Sequence, residues 1–403
     1  MDSSAKKIPS LIGAIFLVSG TTVGGGMLAM PAAAASIGFF PSTWMLIVAW
    51  AFMTTTALIL AEVCMWMPQD THIISMANHL LGKPAKIIAW IVYLFMGYFS
   101  LIAYISGGSD IFTAFFSNIS FSIPQWMTAL LFVVVFGFVI EIGSSWVSRL
   151  NTILFWGLII SYFTIVSIGI LGIEFKNLQF TAWKNAYGII PLLLTSFSFQ
   201  MMVPNLATYM QRDIKRIRTA IIGGTTLSLA IYLLWNFVVL GSISQGQDSS
   251  LALAYAEGKL PLDTFGQIGG QWFSIGMHLF SFCALVTSFL GIGWGLYDFL
   301  ADGLQWQKAG TKRLWLWMLV MLPSLTVALI YPRGFIGALE ATGGYGDVIL
   351  NGMIPILMIW MGIYVQKRSS ESRLYKTKPF LIGLFAFCTS VAIIQFGQDI
   401  GAW

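Results

Sequence analysis

A chain of 403 residues that is 57% hydrophobic and only 9% charged, with a mean hydropathy of +0.82, excludes a water-soluble domain. Its apolar runs are long enough to cross about 30 Å of hydrocarbon and recur from end to end, which describes an all-α polytopic membrane protein, a single integral unit over 1–403. The net charge of +5 reads as membrane topology and contact with anionic lipid, not as affinity for nucleic acid.

Eleven spans are predicted in chain order, at 9–36, 41–67, 87–107, 124–143, 147–172, 187–210, 219–241, 271–301, 314–331, 335–364 and 380–397. Spans 4 and 5 are separated only by a polar hinge at Ser144, Ser145 and Trp146, so ten or twelve spans are the alternatives. With a cytoplasmic N-terminus and an outside C-terminus, 17 Lys and Arg fall inside. Only Lys176, Lys184, Lys259 and Arg333 fall outside, which accounts for all 21 and follows the positive-inside rule. Lys6 and Lys7 before an apolar run resemble a secretory signal, but the run is too long and too polar at its middle, and reads as a retained first span. Cys64, Cys283 and Cys388 lie within spans without CxxC spacing, so neither a disulfide framework nor a zinc site is expected. The sequon Asn118-Ile119-Ser120 is a frequent chance match.

Span 1 contains GTTVGGGMLAMP, Gly20 to Pro31, where a helix interior least tolerates glycine. Non-helical backbone at membrane depth survives only where protein or a water-filled cavity satisfies its polar groups. The plainer reading is close packing of small residues spaced by four, as in Gly20 with Gly24 or Gly25 with Ala29. A second interruption favours the cavity: span 6 reads PLLLTSFSFQMMVPNLATYM, with Thr195, Ser196, Ser198 and Gln200 at its midpoint. Both breaks precede a proline, Pro31 and Pro204, and lie five spans apart. An odd offset inverts one repeat against the other, the signature of a transporter with discontinuous helices 1 and 6. The repeats are expected at 9–172 and 187–364, with 380–397 as an additional span.

Each broken span offers a half-helix N-terminus suited to a carboxylate and a half-helix C-terminus suited to an ammonium group or a cation. No Lys or Arg lies near the centre of any span, so an anionic group there must be held by backbone donors. An amino acid substrate is expected with its carboxylate at Gly24, Gly25 and Gly26, beside Thr22, and its ammonium at carbonyls near Gly20, Thr21, Ser196 and Phe197. Side-chain selectivity is expected from Tyr93, Gly97, Leu101 and Tyr104 in span 3, and from Phe197, Ser198, Phe199 and Gln200 in span 6; ordinary packing is the competing role for each.

GTTVGGGMLAMP, AYISGG at 103–108, VPNLATYM at 203–210, TSFLGIGWGLYDFLAD at 287–302 and YPRGFIGALE at 331–340 together resemble the bacterial hydroxy/aromatic amino acid permeases, most closely the tyrosine permease branch. The resemblance runs over nearly the whole chain. It implies an eleven-span protein of the bacterial inner membrane in the amino acid/polyamine/organocation superfamily, with the leucine-transporter-type five-plus-five inverted repeat. It further implies import of tyrosine, tryptophan or phenylalanine by proton symport and alternating access, without a cofactor. In the tyrosine branch a histidine follows Ser-Phe-Gly-Phe, whereas here Ser-Phe-Ser-Phe is followed by Gln200.

Ionisable residues within spans are functional candidates by default, and those singled out are Glu62, Glu141, His278, Asp298 and Glu340, with Glu62 and Asp298 foremost for coupling. Snorkelling or helix capping is the competing role, since most lie toward span ends. Thr287 and Ser288, at the middle of span 8, are the alternative: in sodium-coupled relatives of this fold such a pair helps bind sodium, here with carbonyls of Gly20 and Val23. Against this stands a bond from each hydroxyl to its own helix. A sodium-coupled or hydroxy amino acid symporter is therefore the nearest alternative function. A membrane enzyme would need a catalytic cluster, and His72 and His79 lack metal-motif spacing; a channel would need rows of pore-lining polarity rather than two mid-depth points.

Overall fold

In the computed structural model the described residues are 10–402, except 70, 119, 247, 259 and 261–269. Lys6, Lys7 and Lys259, and Ile119 of the sequon, lie outside them. The described chain is helical, with ten helices long and apolar enough to span a membrane and one bent pair, Leu11–Thr22 with Gly26–Ala35, which makes the eleventh. That pair turns by 58° across the glycines.

Spans 1, 2, 6 and 7 contact one another, as do spans 3, 4, 5, 8 and 9 in a second group; span 10 touches spans 2, 3, 6 and 11. Small residues permit these approaches. A Cβ on Gly224 of span 7 would lie 2.5 Å from Val18 of span 1, and one on Gly343 of span 10 would meet the Pro191 carbonyl of span 6. The far face from the N-terminus is covered by the short helix Ser250–Ala256, which lies on the second half of span 1 and is tied to span 10 by the Tyr255 hydroxyl donating to Glu340. On the N-terminal face, His72 caps the amphipathic helix Ile73–Leu81.

Interrupted backbone in these spans is repaired by aromatic donors from neighbours. Pro31 has no N–H to give to the Met27 carbonyl one turn earlier, and the Trp235 indole donates there instead at 3.0 Å. Pro323 likewise frees the Leu319 carbonyl, which accepts from the Tyr98 hydroxyl at 2.8 Å. Where span 1 stops at Thr22 and the first half of span 6 stops at Ser196, the single Tyr232 hydroxyl of span 7 lies 2.8 Å from the Thr22 carbonyl and 2.7 Å from that of Ser196. Tyr232 itself has no exposed surface, and its ring meets Phe197 edge to face.

Tyr232→Phe keeps the ring and deletes the shared donor. The expected loss is about 1–3 kcal/mol of stability, since two buried carbonyls lose their partner, with weakened transport because both breaks loosen together. Thermal unfolding of detergent-purified protein checks the first and uptake the second. Tyr98→Phe, remote from both breaks, should cost comparable stability and leave transport in place.

Candidate substrate-binding site

Between the two groups of spans lies a cavity of about 920 Å³ that reaches from both helix breaks past Leu17 and Phe16 to the face where span 1 begins. It therefore opens on the N-terminal face. Among the described residues, no charged side chain lines it.

The second half of span 1 starts at Gly26, and its first N–H groups point into this space for a geometric reason. The bend leaves Gly24, Gly25 and Gly26 without carbonyls four residues back in the same helix. Gly25 N–H makes one long contact, 3.4 Å to Ser288 Oγ, and those of Gly24 and Gly26 find no acceptor among the described residues. On the other side of the bend, Val23 N–H closes back on Ser19, and the carbonyls of Gly20 and Thr21 receive no donor among the described residues. A cluster of free donors thus faces a cluster of free acceptors across one bend, and the half-helix dipoles reinforce both. Side chains crowd the glycines: a Cβ on Gly25 would come 2.6 Å from the Tyr104 ring, and one on Gly24 would come 2.9 Å from Ser288 Oγ.

In span 6, the first half-helix Ile190–Ser196 and the second, Val203–Tyr209, are joined by an unwound segment and a 3₁₀ turn, Gln200–Met202. Of the sequence-derived residues, Gly20, Thr21, Thr22, Gly24, Gly25, Gly26, Gly97, Tyr104, Ser198 and Phe199 line the cavity together. Tyr93 lines it as well, stacked on Phe299 at 4.1 Å, whereas Leu101 is packed in the core.

Three residues of span 6 are placed elsewhere. Gln200 is turned toward span 2, its amide donating to the Met53 carbonyl at 3.1 Å and to Thr56 at 3.3 Å while its oxygen accepts from Phe199 N–H at 3.0 Å. Phe197 packs against Tyr232, and the Ser196 carbonyl is occupied by the Tyr232 hydroxyl, so neither reaches the cavity. The expectation of these three as direct substrate contacts is corrected accordingly. An unwound segment has no regular period from which the cavity-facing side is read.

The ionisable residues singled out from the sequence are spread over the periphery. Glu62 is ion-paired with Arg218 at 3.0 Å and accepts from the Glu371 N–H at 3.1 Å. Asp298 pairs with Lys308 at 2.6 Å, both partly exposed, and Glu141 pairs with Arg313 at 3.1 Å. His278 bonds the Ser274 carbonyl of its own helix at 2.8 Å. Thr287 and Ser288 do line the cavity; Thr287 donates to the Cys283 carbonyl at 2.8 Å, and Ser288 stands against the Gly25 amide. The carboxylate nearest the breaks is one that the sequence reading passed over. Asp347, inside the predicted tenth span, accepts from Ser198 Oγ at 2.5 Å. Its signal was present as an acidic residue near the middle of an apolar run, TGGYGDVILNG.

The chain has measurable relatives. It is 33% identical over 356 residues to tyrosine-specific transport system 1 of Haemophilus influenzae, covering 87% of each chain. It is 28% identical over 414 residues to the tryptophan-specific transport protein of the same organism, covering 98% of each. Its fold superposes on the crystal structure of MhsT in complex with L-phenylalanine with a TM-score of 0.64 at 15% identity, over 96% of this chain and 98% of that one. This is a leucine-transporter-type fold, and the relatives are transport proteins rather than enzymes. The profile that describes tryptophan and tyrosine permeases matches residues 7–395, and the chain belongs to the tryptophan/tyrosine permease family.

Proposed function

We propose that this permease imports aromatic amino acids (tyrosine, tryptophan or phenylalanine) across a bacterial inner membrane by proton symport and alternating access. The observation that carries the reading is the pair of Gly24 and Gly26 amides without acceptors among the described residues, with the Gly25 amide held only by a long bond to Ser288 Oγ, beside the open Gly20 and Thr21 carbonyls in a cavity without charged side chains. A zwitterion matches that arrangement: its carboxylate replaces the missing helix acceptors and its ammonium the missing donors. The volume suits a ring, and Tyr104, Phe199, Tyr93 and Trp294 supply aromatic walls, with the space at Gly97 bounded by Leu296. Relatives named for tyrosine and tryptophan transport support the same substrate class.

In this reading the N-terminus is cytoplasmic and the C-terminus outside, so the cavity is open inward. Residues 9–172 and 187–364 act as the two repeats, and spans 1, 2, 6 and 7 move as one body against the remainder. Proton coupling is favoured over sodium because an acidic side chain without a cation touches the break in span 6.

Purified protein in proteoliposomes should accumulate labelled tyrosine, tryptophan or phenylalanine under an imposed proton gradient and not under a sodium gradient alone. Uptake driven only by sodium would move the coupling site to Thr287 and Ser288, and no aromatic uptake under either gradient would overturn the substrate assignment. Gly25→Leu should abolish uptake and binding while leaving the protein inserted and monodisperse, because its side chain occupies the space before the amides. Normal uptake by that variant would sink the backbone-carboxylate assignment.

A further inference from the structure

Span 10 touches both groups of spans, and its middle, Thr342–Met353, is wound as a π-helix, a geometry that recurs at functional sites. Asp347 lies within this stretch with no exposed surface. Its Oδ1 accepts from Ser198 Oγ at 2.5 Å and from Asn351 Nδ2 at 2.6 Å; Asn351 also donates to Ser198 Oγ at 3.2 Å. Its Oδ2 is buried and receives no hydrogen bond. None of the ion pairs among the described residues includes it.

We propose that Asp347 is the group that carries the coupled proton, an assignment that rests on the symport reading above. A carboxylate at membrane depth without a cation is costly, and two neutral donors on one oxygen leave the other bare. A proton on Oδ2 supplies the hydrogen that this buried atom lacks. The chemistry balances simply: one proton adds to the carboxylate to form the neutral acid, and one proton leaves again on the opposite side. No bond in the amino acid changes.

Coupling to substrate follows from the placement of Ser198, which lines the cavity while bonding Asp347. Asp347 is thus one hydrogen bond removed from the cavity. Ser198 belongs to the body of spans 1, 2, 6 and 7, and Asp347 to span 10 outside it, so the contact between them crosses the surface that alternating access moves. A group whose surroundings differ between two conformations biases their equilibrium by its protonation state.

The titratable neighbours on the packed elements do not supply a substitute. Tyr104 of span 3 interacts with Asp347 across the cavity. Tyr345 on the same stretch donates to Asp399 of span 11 at 2.6 Å, Glu340 is bonded by Tyr255, and Glu62 of span 2 is held by Arg218. Span 6 contributes only neutral groups, Thr195, Ser198 and Gln200.

The test compares wild type with Asp347→Asn in proteoliposomes, using labelled tyrosine and a trapped pH-sensitive dye. Asp347→Asn should lose proton-gradient-driven accumulation by about tenfold or more and lose tyrosine-linked proton movement, yet still exchange internal for external tyrosine. Retained proton-driven accumulation would overturn the assignment. So would loss of exchange as well as accumulation in a folded variant, since that pattern marks a structural role. If the asparagine variant does not fold, Asp347→Glu decides: proton-linked uptake with a displaced pH profile supports the proposal, and an unchanged profile opposes it. Wild-type uptake without proton movement would instead refute the symport reading, a separate outcome from failure at Asp347.

Discussion

The structure depends on one constraint: no peptide group inside hydrocarbon can be left without a partner. A carrier that binds its cargo through backbone must violate helical continuity at the place where violation costs most. The chain confines the damage by placing aromatic donors at freed carbonyls outside the site. Trp235 serves Met27, Tyr98 serves Leu319, and Tyr232 serves Thr22 and Ser196 together. Among the described residues, the Gly24 and Gly26 amides and the Gly20 and Thr21 carbonyls stand at the cavity without a partner, open to a ligand. The aromatic richness of the chain is therefore partly a supply of long-reach hydrogen-bond donors and not merely apolar filling.

Arginine performs the corresponding task at the N-terminal face. The last turn of span 2 ends in carbonyls of Cys64, Met65 and Met67 that converge on the Arg212 guanidinium at 2.9–3.2 Å, while Arg368 reaches the Trp66 carbonyl at 3.1 Å. A cation at a helix C-terminus opposes the negative dipole end as well as pairing the last carbonyls. Arg218 then joins Glu62 of span 2 to Glu371 in the linker before span 11. Spans 2 and 7 are stitched to each other at this end, which suits elements that move as one body. Glu62, attractive for coupling when only its position in the chain is considered, is explained by this stitching.

The fold was largely legible because the signals were long and redundant. Apolar runs bounded by basic clusters marked the spans, and Gly24-Gly25-Gly26 marked the first break because glycine at that depth has few other uses. The second break was legible from hydroxyls before Pro204, but its facing was not. Once the helix unwinds after Ser196, Ser198 and Phe199 line the cavity while Phe197 and Gln200 turn into the core, and no spacing rule separates these residues. Asp347 was legible as an acidic residue near the middle of an apolar run, and only its partners were hidden. In a π-helix the ladder closes over five residues, as in the Ile354 N–H bonding the Ile349 carbonyl, so α-helical spacing misplaces the side chains of that stretch. Pairing added a further layer that sequence does not display: Asp298 lies against Lys308 and Glu141 against Arg313, which removes both from the interior.

The opening of the cavity toward the N-terminal face has a kinetic consequence. With the N-terminus cytoplasmic, as proposed above, the Gly24–Gly26 amides remain within reach of any amino acid already accumulated on that side, and rebinding competes with the return of the empty carrier. Net import then slows as the internal pool fills, through the same amides that brought the substrate in. Such a permease throttles itself by product, and a cell gains a ceiling on its aromatic pool without a separate regulatory domain.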